Sequence, residues 1–257
     1  MPRDFSSLIN EATLDGMSSL APQTGNRKAR PMETQAEDSS HLAAEDAISA
    51  NAKRNELHPY TQTLSLSDLE SCVRLEEAAF PPQERASREK LQYRLKHAGE
   101  LFLGIFTSQE GSSVPTAETS APVYTGAPQR KAVLLGYIGG TKTTNPVVKD
   151  EDMAIPDPEN PDPRLGHKLD GKTVCIHSLG VLPQYQKCGL GTTLMKAYLQ
   201  RLESHGVANR VALIAHDHLI PYYEKFGFED KGKSEAQFGG GGWYDLARDL
   251  KQGPSPS

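Results

Sequence analysis

The segment from Thr173 to Leu202, TVCIHSLGVLPQYQKCGLGTTLMKAYLQRL, limits what this chain can fold into more than any other. Its first third is a β-branched and apolar run that stops at Pro183, the pattern of a strand buried on both faces. From Gly189 the period changes. Leu190, Leu194, Tyr198 and Leu202 recur every four residues with Met195 and Leu199 beside them, which is one apolar face of a helix. Gly206 stands just past the last periodic residue, where a helix C-terminus favours glycine. A buried strand feeding an amphipathic helix requires a sheet with helices packed on it, an α/β domain.

Between strand and helix lies Gln186-Lys187-Cys188-Gly189-Leu190-Gly191-Thr192. Its two glycines let the backbone approach a ligand without Cβ interference. The first turn of the helix offers unpaired N–H groups and the positive end of the helix dipole, a setting that suits phosphate. The spacing is not the P-loop GxxxxGK[ST], because no glycine lies five residues before Gly191 and no lysine follows it. Nor is it GxGxxG, because no third glycine follows.

The 257 residues allow one or two domains, but only 37% are hydrophobic, so the core is smaller than the length suggests. A net charge of -5 argues against a general nucleic-acid binder. Cys72, Cys175 and Cys188 are widely separated and form no CxxC pair, so neither a zinc site nor a disulfide framework is expected, and a reducing, cytoplasmic setting is. No apolar run reaches the roughly 20 residues of a membrane span, and the N-terminus lacks a signal-peptide core. No membrane association and a monomer are expected.

Residues 1–57 are polar, mixed in charge and without period, and read as a disordered tail. Arg27-Lys28-Ala29-Arg30 before Thr34 has the makings of a docking or kinase site, though such clusters are usually solvated charge. Order is expected over 60–250. Leu64 and Leu66 suit a first strand, and Ser67-x-x-Glu70 suggests a capping box for a helix that Phe80-Pro81-Pro82 ends. A second helix spans Ser87 to Ala98. Leu101–Thr107 and Val133–Thr141 read as partner strands, joined by a Ser/Thr/Pro/Gly-rich stretch over about 109–130. A second insert, about 145–171, holds five prolines. Both exceed the ~12–15 residues of ordinary structureless loops and are expected to be flexible. Arg210–Ala215 is a further buried strand, and Tyr222–Phe226 a short helix. Phe228 opens another strand, Phe238–Gly242 is a glycine connector, and Trp243–Leu250 is a last strand. Residues 251–257 are expected to be a disordered end.

Gln186-x-x-Gly189-x-Gly191 resembles motif A, [QR]-x-x-G-x-[GA], of the GCN5-related N-acetyltransferases (GNAT). Tyr222-Tyr223-Glu224-Lys225-Phe226-Gly227-Phe228 is similar to that superfamily's late [FY]-Y-x-[KR]-x-G-F segment. Three segments most resemble arylalkylamine (serotonin) N-acetyltransferases and fungal polyamine acetyltransferases. They are Glu76-x-x-Ala79-Phe80-Pro81-Pro82-x-Glu84, Cys175-Ile176-His177-Ser178-Leu179-Gly180-Val181, and His218-Leu219-Ile220-Pro221-Tyr222-Tyr223. Cys175 departs from the animal pattern, where a histidine stands first. The resemblance covers about residues 60–250. It implies the GNAT acyl-CoA N-acyltransferase fold, a mixed central sheet flanked by helices with a splayed central strand pair.

That resemblance implies acetyl-CoA as cosubstrate and transfer of acetyl to the primary amine of a small molecule, an arylalkylamine or a polyamine. It places the pantetheine arm along Leu179, Gly180 and Val181, and the pyrophosphate on Gln186, Lys187, Cys188, Gly189, Leu190, Gly191 and Thr192. His177 is the favoured general base and Tyr223 the acid to the leaving thiolate, with Glu84 as the other candidate base. Phe80 and Pro81, with Glu84, are expected to line the amine pocket. Each role has a structural counterpart: a strand histidine with an ordinary hydrogen bond, a packed tyrosine, a solvated carboxylate. His216 and His218 flank Asp217, but no third ligand lies near in sequence, so no metal is expected. The competing functions are a protein N-acetyltransferase and a non-catalytic acetyl-CoA-binding module.

Overall fold

The computed structural model describes residues 49, 52, 54–110, 118–122 and 130–251. The expected tails up to residue 48 and from 252, the basic cluster before Thr34, and the centre of the first insert lie outside the described residues.

Eight strands form one sheet: β1 (Tyr60–Thr63), β2 (Phe102–Glu110), β3 (Glu118–Pro122), β4 (Arg130–Thr143), β5 (Thr173–Val181), β6 (Arg210–Ala215), β7 (Glu229–Lys233) and β8 (Tyr244–Asp249). The order is β1-β2-β4-β5-β6-β8-β7, with β3 beside β4. Every pairing is antiparallel except β5 with β6, so the sheet is mixed, as the GNAT fold requires. Among the described residues, the helices after β1 are α1 (Leu69–Ala79), α2 (Arg88–Ala98), α3 (Asp150–Met153), α4 (Leu190–His205) and α5 (Ile220–Glu224).

Helix α4 covers one face of the sheet. Its stripe of Leu190, Leu194, Met195, Tyr198, Leu199 and Leu202 packs on Ile176, Leu179, Val181, Val211 and Leu213. Each such side chain contributes about 1.5–3 kcal/mol of burial. Gly206 ends the helix at φ 58°, its N–H bonding to the carbonyl of Leu202. Helices α1 and α2 cover the other face, packing Leu69, Leu75, Leu91 and Leu95 against Phe102, Phe106, Leu134 and Tyr137. A third cluster, Met153 with Cys175, Ile214 and Trp243, extends that face across β6 and β8. All nine residues of β5 are buried, since both of its faces are covered.

The structure departs from the sequence reading in several places. Within the first insert, expected to be flexible, residues Glu118–Pro122 form strand β3 against β4. The first strand is Tyr60–Thr63, and Leu64 follows it as a core residue. The cap before α1 is Ser65 with Asp68, not Ser67 with Glu70: Asp68 accepts from the Ser65 N–H at 2.9 Å. Residues 54–57, placed in the tail, are helical. Leu57 packs on the core and its carbonyl accepts from the Thr107 hydroxyl. The second insert, expected to be loose, is tied down. Gly166 donates to the Glu151 carbonyl, Lys168 to that of Lys142, and the buried Arg94 to that of Met153 at 3.1 Å. Burial away from water pulls the Arg94 guanidinium down to about 10.

Candidate active site

β5 and β6 pair only through Thr173, Val174 and Cys175 against Arg210, Val211 and Ala212. Beyond that the two strands part. β4 continues to pair with β5 as far as Val181, and β8 with β6 as far as Ala215. The inner edges, from His177 to Val181 and from Leu213 to Ala215, therefore face each other without a ladder. Backbone donors and acceptors on such an edge need partners. A splayed central strand pair is thus present.

A bulge lies beside the split. Gly139 pairs with Ser178 and Gly140 with Ile176, which leaves His177 as the extra residue of β5. Bulges re-aim side chains next to binding sites. His177 is 1% exposed; its Nε2 lies 2.7 Å from Thr141 Oγ1 and its Nδ1 3.2 Å from the Met153 sulfur. Ser178 turns its hydroxyl to Glu76 Oε1 at 2.6 Å. Glu76, also buried, takes the Tyr137 hydroxyl at 2.5 Å and the Ala86 N–H at 2.7 Å. Burial and the Glu76 charge push the Tyr137 phenol up, so it stays a donor.

The glycine turn closes one end of the split. Gly189 is the N-cap of α4 at φ 81°, a left-handed conformation that side chains resist. The first intrahelical bond runs from Thr193 N–H to its carbonyl, so the amides of Leu190, Gly191 and Thr192 lie over the helix mouth. Among the described residues no side chain caps them. Gln186 braces the turn by donating to the Val181 carbonyl at 2.9 Å, and Cys188 donates to that of Tyr185 at 2.8 Å. Leu190 is core, and Lys187, at φ 61°, is exposed. The glycines and amides of the expected cofactor set are thus at the mouth, whereas Gln186, Cys188 and Leu190 shape it. A Cβ at Gly189 would stand 3.5 Å from Nη1 of Arg54, a cation that no local pattern places there.

On the opposite face from α4, the α1–α2 connection folds over β5. Phe80 is 4% exposed, and a Cβ on Gly180 would meet its ring at 2.9 Å. Pro81 leads into a 3-10 turn, Pro82–Glu84. A second turn, Phe238–Gly240, sits against it: a Cβ on Gly239 would stand 3.1 Å from Glu84 Cγ. Asp150 holds this turn by accepting from the Gln237 and Phe238 N–H groups at 3.0 to 3.1 Å. Tyr223 lies on the α4 face, fully buried against Tyr222 and Phe228. Its hydroxyl has no hydrogen-bond partner among the described residues, and burial drives its pKa well up. Two open cavities among the described residues, one lined by Thr61, Arg201 and His205 and the other by Arg210 and Lys231, lie away from the split. Among the described residues no cluster of three metal-ligating side chains occurs.

Residues 115–228 match the model of the acetyltransferase (GNAT) family. That stretch is similar to a GNAT acetyltransferase domain. Serotonin N-acetyltransferase of Mesocricetus auratus is 38% identical over 66 residues, 26% of this chain and 32% of that protein. N-alpha-acetyltransferase 50 of Danio rerio is 33% identical over 69 residues, 41% of its length. The chain therefore spans well under half of these relatives. The loading GNATL domain of CurA from Lyngbya majuscula superposes with a TM-score of 0.52 at 12% identity, over 75% of this chain and 97% of that one. It shows the shared fold.

Proposed function

We propose that the chain is an acetyl-CoA-dependent N-acetyltransferase acting on the primary amine of a small molecule, an arylalkylamine or a polyamine. The observation that carries this is the split between β5 and β6. Among the described residues it combines a strand edge without a ladder at Leu179–Val181, helix amides without a side-chain cap at Gly189–Thr192, and a buried phenol without a partner at Tyr223. An extended amide-bearing arm suits the first, a pyrophosphate the second and a thioester sulfur the third. Acetyl-CoA is the ligand that joins all three, and it supplies the activated acyl group.

The chain's own residues have the remaining tasks. Leu179, Gly180 and Val181 orient the arm. The GNAT turn receives the phosphates, and Phe80 and Pro81 with the Phe238–Gly240 turn keep water from the amine side. Tyr223, held protonated by burial, donates its proton to the departing thiolate. The two candidate proton acceptors are His177 and Glu84, of which one is needed to take the amine's proton.

A second reading is N-terminal acetylation of a protein, favoured by the similarity to N-alpha-acetyltransferase 50. Thiol release from acetyl-CoA, followed over a panel of arylalkylamines, polyamines and short peptides, tests both. Turnover of the peptides alone would replace the first reading with the second. Coenzyme A binding without turnover of any acceptor would leave a binding module.

A further inference from the structure

Glu84 and His216, 132 residues apart in sequence, meet at the amine side of the split. Glu84 Oε1 lies 3.2 Å from Nε2 of His216, with 7% of the Glu84 side chain exposed and 29% of the His216 side chain. We propose that this pair is the route by which the substrate ammonium loses its proton. Glu84 is the group that meets the amine, and His216 carries the proton from Glu84 to water. The proposal rests on the amine acetyltransferase reading and adds a residue to it.

His216 is placed for this by the fold. It is the first residue after β6 and precedes the turn Asp217–Leu219, so the strand end carries it to the open end of the split. Trp243 fixes its ring from the far side, with centroids 4.1 Å apart. The indole N–H is itself tied to the Phe238 carbonyl at 2.7 Å. The charged and titratable groups that face His216 and the elements around it are Glu84 from the Pro82–Glu84 turn, Asp217 and His218 from its own turn, Asp150, which accepts from the Gln237 and Phe238 N–H groups, and Lys90, whose Nζ lies 4.6 Å from the Phe238 ring. His218 stacks at 5.8 Å with its Nδ1 3.6 Å from Asp217 Oδ1. Trp243 and Phe238 present uncharged rings. The result is a buried carboxylate backed by a more exposed imidazole.

His177 has a different setting. It is sealed at 1% exposure, with one ring nitrogen on Thr141 and the other on Met153. Those contacts suit a side chain that holds the bulge in place. In the route proposed, an ammonium N–H bond breaks toward Glu84. The proton passes to Nε2 of His216, in the tautomer whose proton is on Nδ1, and the imidazolium releases Nδ1–H to water. The freed lone pair forms the C–N bond as the C–S bond breaks, and the thiolate takes the Tyr223 proton. Once the His216 ring has regained its Nδ1–H tautomer by proton exchange with water, the second proton of the nitrogen leaves by the same route, and the Tyr223 phenolate takes one proton back from solvent. Overall, ammonium and thioester give amide, thiol and one proton.

The route works only while His216 is neutral, so it should set the acid limb of the pH–rate profile. The test is thiol release from acetyl-CoA with tryptamine and with spermidine across the pH range, for wild type, Glu84→Gln, His216→Gln, His216→Asn and His177→Gln. Coenzyme A affinity and thermal unfolding are followed in parallel. Glu84→Gln is expected to lower kcat by about 10²–10⁴-fold with coenzyme A affinity kept. Both His216 variants should flatten the acid limb while the KM for amine changes little, and His177→Gln should keep that limb. A wild-type acid limb in folded His216→Gln and His216→Asn, or full kcat in Glu84→Gln, overturns the proposal. Loss of the limb in His177→Gln alone hands the role to His177. Absence of thiol release from wild type with either amine and at every pH would instead defeat the amine reading itself, and this proposal with it.

Discussion

Ser178 donates its hydroxyl to Glu76 Oε1 at 2.6 Å, and this bond joins the bulged strand to helix α1. The same carboxylate takes the Tyr137 hydroxyl and the Ala86 N–H, so one buried side chain fixes β4, β5 and the turn bearing Glu84. Three buried donors lose their acceptor in Glu76→Ala. Each orphaned group costs about 1–3 kcal/mol, so the loss should reach about 3 kcal/mol or more. Urea unfolding measures it. In a Tyr137→Phe, Ser178→Ala background the same substitution should cost clearly less, because two of the three donors are gone; an equal cost would mean the network is not what Glu76 supports.

Gly189→Glu tests the helix mouth. The left-handed backbone at φ 81° resists any side chain, which should cost about 1–2 kcal/mol of stability. The added carboxylate also stands before the amides of Leu190 to Thr192, where the phosphates are proposed to rest. Calorimetry should find coenzyme A binding lost while far-UV dichroism still reports the fold. Gly189→Ala, with the strain and without the charge, should retain binding; if both variants lose it equally, the charge argument fails.

Arg54 gives the segment before β1 a part in the same mouth. Its guanidinium stands beside Gly189, at the positive end of α4, and no carboxylate among the described residues pairs with it. A cation against a helix N-terminus is unfavourable unless an anion joins them. A charge-assisted hydrogen bond is worth about 1.5–3 kcal/mol, so Arg54→Ala should weaken coenzyme A binding by roughly tenfold or more. Binding of acetyl-pantetheine, which lacks the phosphates, should not change. A chain beginning at residue 49 should bind as the full chain does, and one beginning at residue 59 should bind as Arg54→Ala.

How much of this was legible in the sequence depended on the range of each interaction. β5, the glycine turn and α4 were readable because strand and helix periods and a C-terminal glycine are local signals. The true cap at Ser65 was missed because two capping patterns overlap by two residues, and only the 3-10 turn Leu66–Asp68 decides between them. Strand β3, in a Ser/Thr/Pro-rich stretch, has no apolar alternation; its pairing with β4 makes it a strand. Helix α3 is four residues long, too short for a period. The Glu84–His216 pair and the approach of Arg54 to Gly189 join distant segments, and no spacing rule reports such contacts. The histidines at 216 and 218 are visible as a cluster in the sequence, but Glu84 comes to His216 from the distant Pro82–Glu84 turn.

Asp245 predicts a pH dependence. Its carboxyl lies buried on β8 with Oδ1 lacking a hydrogen-bond partner among the described residues; burial first, and the Glu235 charge with it, raise its pKa against the lowering pull of a Ser234 hydrogen bond. Folding therefore prefers the protonated form. The stability from that preference is full below the unfolded pKa and is lost as pH rises through the raised, folded one. Asp245→Asn should accordingly stabilise at neutral pH by about 1–2 kcal/mol, and the gain should vanish near pH ~3. Denaturation at the two pH values checks it; an equal gain at both would point to packing, not ionisation.

Tyr223 separates stability from function most sharply. A fully buried hydroxyl without a partner is a cost to the folded state, about 1–3 kcal/mol where nothing compensates it. Tyr223→Phe removes that cost and keeps the ring against Tyr222 and Phe228. The variant should thus unfold at a higher temperature than wild type. If the phenol is the proton donor to the thiolate, the same change should lower kcat by about 10²–10⁴-fold with coenzyme A affinity nearly unchanged, since only the transition state draws on the proton. The raised pKa keeps the donor protonated through neutral pH, so wild-type activity should hold on the basic side, whereas the variant loses activity at every pH. Thermal unfolding and a pH–rate series on the two proteins measure both halves. A rise in stability with full activity would make Tyr223 a packing residue, and a fall in stability would show that its hydroxyl has a partner in the apo protein after all.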